Sequence, residues 1–105
     1  MAAVEKYHKY SKAADREAEK KFAAQKEVVE EAIRIEKSKI LVLTKRMHKI
    51  KDVESIEFSE TVRMIRKSEK RIEEFSRELA DILKQENRVY NELLDKLLSE
   101  DKGDQ

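Results

Sequence analysis

The stretch Asp52-Val53-Glu54-Ser55-Ile56-Glu57-Phe58-Ser59-Glu60-Thr61 decides the fold of this chain. β-Branched residues and two serines stand together in it, and an acid follows closely on each serine, as in the first turn of a helix. Ser55 or Ser59 can cap a helix that starts here. The seven-residue rhythm of the flanking sequence also slips, because Ile50 and Phe58 are eight residues apart. Capping residues at a phase slip predict a turn over about 52–59; the alternative is one continuous helix that absorbs the slip by altered supercoiling. A helix over about 4–51 precedes the turn, a helix over about 60–100 follows it, and 101–105 is expected to fray.

Outward from that stretch, both flanks carry helical periodicity. On the N-terminal side Val4, Tyr7, Ala14, Ala18, Phe22, Val29, Ile33, Ile40, Leu43, Met47 and Ile50 recur mostly at steps of three, four or seven, one stripe of a helix about 70 Å long. On the C-terminal side Phe58, Ile65, Ile72, Leu79 and Leu93 repeat every seven residues, with Glu86 as a polar intruder. Phe75, Ile82 and Val89 follow three positions behind and complete an a/d seam. Leu83, Tyr90, Leu94, Leu97 and Leu98 widen the stripe near the C-terminus. If the turn centres near residue 55, residues equidistant from it face each other. The small Ala14, Ala18, Ala23 and Ala24 then lie against the Leu-rich segment 83–98, small against large.

Composition points the same way. The charged fraction is 45%, Pro is absent and the one Gly is Gly103, so the chain lacks the usual punctuation of short loops. Large apolar residues and mixed charges argue against disorder. The expected fold is all-α: a long antiparallel helical hairpin forming one domain over 1–105, resembling a coiled coil. Two helices leave one flank of each stripe wet, and dimerisation into a four-helix bundle is the expected remedy. The expected interaction stripe is Phe22, Val29, Ile33, Ile40, Leu43 and Met47 on the first helix. On the second it is Ile65, Ile72, Phe75, Leu79, Ile82 and Leu93.

Net charge is only +1, but it is unevenly spread. Lys37, Lys39, Lys45, Arg46, Lys49 and Lys51 occur in a stretch interrupted by no acid. Arg63, Arg66, Lys67, Lys70 and Arg71 follow the turn. A hairpin brings the two groups together as one positive region able to hold phosphates of nucleic acid or anionic lipid. The alternatives are a solvated charged face and pairing with the acidic 73–104 segment of a second copy. No aromatic side chain lies among these cations, which argues against stacking on single strands.

Signals for chemistry are weak. Cys is absent, which removes disulfides and thiolate metal sites. Glu5 and His8 have the Glu-x-x-His spacing of carboxylate-bridged metal bundles, but His48 follows Lys45 and no second pair exists, so a solvated His8 is expected. No Gly-rich phosphate loop and no ordered nucleophile–base pair is visible. Glu36 and Glu86 interrupt the stripes at seam positions, and both are expected at the stripe's edge, reaching water through their flexible stems. The N-terminus has no signal-peptide pattern and the longest apolar run, Ile40–Leu43, is far short of a span, so a cytoplasmic location is expected, with leaderless secretion as the alternative.

In size and expected hairpin the chain is similar to the small helical partners of specialised secretion systems and to small cofactor chaperones. It has no Trp, hence no Trp-x-Gly at the turn, and the similarity is one of architecture. The expected function is a non-enzymatic helical interaction module with no cofactor and no small-molecule substrate. Its partner would be a second copy or a helix of another protein. The alternative is a binder of nucleic acid or anionic membrane acting through the basic centre.

Overall fold

A computed structural model describes residues 2–103. The chain is all-helical, with two long helices, α1 (Ala2–Lys49) and α2 (Ile56–Gly103), and no strand among the described residues. Both helices contribute to two compact units. Glu27–Leu79 makes one, and residues up to Lys26 with those from Ala80 onward make the other.

The Glu27–Leu79 unit is a helix–turn–helix hairpin. Its turn is built without any residue of positive φ, so it has no need of Gly. The Ile50 amide bonds the Met47 carbonyl at 3.1 Å and tightens the end of α1. Asp52 then organises the link: its carboxylate accepts from the Glu54 amide at 3.0 Å, and its carbonyl accepts from the Ser55 amide and hydroxyl at 3.2 and 2.7 Å. Ser55, not Ser59, is the cap, its Oγ accepting from the Phe58 amide at 3.1 Å. The turn therefore spans 50–55, and α2 starts four residues earlier than the expected position of about 60. Replacing Ser55 by Ala is expected to cost about 1 kcal/mol in denaturant unfolding, and Ser59→Ala a small fraction of that. An equal loss at both serines would show that the cap is misplaced.

The seam of this unit keeps heptad spacing. Val29, Glu36 and Leu43 are buried on α1, with Ile33, Ile40, Met47 and Ile50 half-buried between them. On α2 Phe58, Ile65, Ile72, Phe75 and Leu79 are half-buried. Thr61 and Ser68, three positions behind Phe58 and Ile65, are buried polar residues. The Thr61 hydroxyl donates to the Glu57 carbonyl at 2.8 Å, so its burial leaves no donor unpaired.

In the second unit the helical segments also run antiparallel. Lys6 and Tyr10 meet Asp101, and Lys26 meets Glu86, so α1 numbers rise as α2 numbers fall. The seam here changes to steps of four, Ala14, Ala18, Phe22 and Lys26 on α1 and Glu86, Tyr90, Leu94 and Leu98 on α2. Ala14 and Ala18 are the most deeply buried residues, each 1% exposed, in the unit that also holds Tyr90, Leu93 and Leu94. Ala23 and Ala24 do not share this role. They are exposed, because a step of four from Ala18 reaches Phe22 and the next reaches Lys26. At the C-terminal end, where fraying is expected from residue 101, the described helix extends three residues further. Asp101 accepts from the Tyr10 hydroxyl at 3.0 Å and pairs with Lys6 at 3.7 Å, and α2 continues to Gly103. Residues 104 and 105 lie outside the described residues.

Candidate interaction surface

The twelve residues of the expected interaction stripe lie in the seams. Phe22, Val29, Leu43 and Ile82 are buried, and Ile33, Ile40, Met47, Ile65, Ile72, Phe75, Leu79 and Leu93 are half-buried. Most of their apolar area is spent within the chain. An exposed apolar surface lies beside this stripe. Val28, Ile35 and Val42 stand at heptad spacing one residue before the seam positions Val29, Glu36 and Leu43. They are 70%, 48% and 65% exposed. Met64 on α2 is 49% exposed. The signal was legible as the seven-residue repeat 28–35–42, but a single line drawn through the seam passes beside it.

Within the Glu27–Leu79 unit Ile35, Val42 and Met64 border an open groove of about 860 Å³. Ile35, Val42, Leu43 and Met64 supply its apolar lining; Arg34, Lys39, Lys67 and Arg71 supply cations, and Glu31 the one carboxylate. Arg34 is bound to Glu31 on its own helix, which raises its already high pKa, by hydrogen bonding first and charge second.

Below the rim lies Glu36, 4% exposed. The expectation that it reaches water from the stripe's edge is overturned. Its Oε1 accepts from Arg71 Nη1 at 3.1 Å and from Lys39 Nζ at 3.5 Å, and Oε2 has no partner. Heptad geometry sets Glu36 inside the seam, and the two long cations bring their charge to it instead. Burial is the largest single influence on this carboxyl and pushes its pKa up. The Arg71 hydrogen bond with the charge and bond of Lys39 outweigh it together, and the group is held below the usual carboxylate range. Glu86 is only half-buried, and Lys26 Nζ stands 2.5 Å from its Oε2.

All eleven residues of the basic centre are exposed and all fall in the Glu27–Leu79 unit. Among the described residues, Lys39 and Arg71 are the two of them that form ion pairs, both with Glu36. Lys37, Lys45, Arg46, Lys49, Lys51, Arg63, Arg66, Lys67 and Lys70 have no carboxylate at ion-pairing distance among the described residues. His8 is exposed, its ring edge-on to Tyr7. Among the described residues no three His, Asp or Glu side chains converge as metal ligands, and no helix is long and apolar enough to cross a membrane. Comparison with protein-family models, curated proteins and solved structures finds no match to this chain.

Proposed function

We propose that this chain is a non-catalytic helical interaction module that takes a further helix along the groove of its Glu27–Leu79 unit. The observation that carries this reading is the Val28–Ile35–Val42 stripe with Met64 beside it, an exposed apolar surface at the spacing one helix presents to another. Seam residues are already engaged, whereas this stripe gains by being covered, at about 25 cal/mol for each Å² removed from water. A second hairpin laid on the stripe completes a four-helix bundle; a single helix of another protein completes a three-helix one.

A photo-crosslinking residue in place of Val42, in cells that make the chain, is expected to give a discrete protein adduct. The same residue in place of exposed Glu17 is the control. An adduct heavier by another 12.4 kDa identifies a second copy, and any other mass a different partner. Absence of an adduct at Val42, or equal labelling at both positions, defeats the reading.

The nine unpaired cations favour a second reading, an electrostatic holder of nucleic acid or anionic lipid. Its mark is affinity for such polyanions that falls steeply with salt and is indifferent to polar substitution of Ile35 and Val42.

A further inference from the structure

We infer that the occupant of this groove is an amphipathic helix of another protein, its apolar face flanked by carboxylates. The inference rests on the groove being an interaction face and adds the chemistry of what fills it. Of the four cations on the rim, Arg34 is bound to Glu31, and Lys39 and Arg71 are bound to Glu36 beneath them, which leaves Lys67 without a carboxylate among the described residues. Cations continue along α1. Lys45, Arg46 and Lys49 follow Val42 at i+3, i+4 and i+7, on the same flank, and no acid occurs between Glu36 and Asp52. Lys67 and these three have no ion pair among the described residues.

Charge then separates the possible occupants. A second copy meeting this face by two-fold symmetry would set its cations against their own kind, which disfavours the pairing. A bilayer would meet the rim cations and leave the recessed Leu43 uncovered, whereas the ridge of a helix enters a groove and covers it. Carboxylates beside that ridge then reach Lys67 and the Lys45–Lys49 turn, supplying anions that these cations lack among the described residues.

The test uses the full chain and two labelled synthetic peptides of about 18 residues, enough for five turns of helix. Both carry Leu on one face at i, i+3, i+4 and i+7, one with Glu on its flanks and the other with Lys. Fluorescence anisotropy is expected to show the Glu peptide binding more tightly by at least on the order of tenfold, the gap closing as salt rises from about 50 mM to about 500 mM. Reversing Arg34 and Lys67 to Glu is expected to transfer the preference to the Lys peptide. Ile35→Asp with Val42→Asp is expected to abolish binding of both, with helix content unchanged by circular dichroism.

Equal affinity for the two peptides overturns the acidic-partner inference while leaving the groove as an interaction face. Failure of both peptides, with no adduct at Val42, removes the groove itself. Tighter binding of phosphatidylserine vesicles or duplex DNA than of the Glu peptide, unaffected by the two Asp substitutions, replaces the inference with the polyanion reading. Self-association abolished by those same substitutions replaces it with a second copy.

Discussion

Replacing Phe22 by Ala is expected to lower the unfolding free energy by about 3 kcal/mol, the usual scale for removing a buried aromatic side chain. Phe22 is buried, and it follows Ala14 and Ala18 on the same line of α1. Those alanines have nothing to swing into the space a benzyl group leaves, so the cavity persists and its cost adds to the lost transfer free energy. Phe22→Leu keeps most of the volume and should lose less than half as much. Val28→Ala, on the exposed stripe, should change stability by no more than about 0.5 kcal/mol. Urea unfolding followed by circular dichroism measures all three, and faster amide exchange over residues 10–26 would localise the loss. A Phe22→Ala cost below about 1 kcal/mol would mean that the seam is loosely packed there.

The same contrast between seam and surface explains what could be read from the amino acids beforehand. Helices are local, so the seven-residue rhythm of Phe58, Ile65 and Ile72, together with a weak stretch at 52–59, is enough to place two helices and a turn. Choosing between Ser55 and Ser59 as the cap was beyond it. The choice depends on Asp52 folding back on the Ser55 hydroxyl, a geometry that propensity does not encode. Polar residues at seam positions were harder. Thr61 and Ser68 stand three residues behind Phe58 and Ile65, where spacing alone implies burial, but their polarity masks it. The candidate surface was half legible. The basic centre is plain in the residue order, but the groove beside it needs Val42 of one helix and Met64 of the other, which no single-helix pattern joins.

Glu36→Lys is expected to cost about 3 kcal/mol or more, because it sets a third cation between Lys39 and Arg71 at a position with almost no access to water. Adding Arg71→Glu to that variant is expected to restore much of the loss, since the pair is rebuilt with its charges exchanged. The double-mutant cycle then isolates the coupling between the two positions. The pair also gives acid unfolding a defined direction. The Glu36 carboxyl sits below its usual range in the folded chain, so the unfolded chain binds the extra proton first. The stability this group contributes is fully present above the ordinary carboxylate value of about 4.3 and is lost as pH falls through the depressed folded value. Other carboxylates also respond to acid, and the difference between the native chain and Glu36→Gln separates this one from them. The Gln variant should show a shallower loss of stability over that acid range and keep its helix content at neutral pH. Parallel pH profiles for the two would mean that Arg71 and Lys39 merely lie near Glu36 without stabilising its charge. A Glu36→Lys defect that Arg71→Glu fails to relieve would locate the cost in packing, because a lost ion pair can be rebuilt by exchanging its charges and a lost shape cannot.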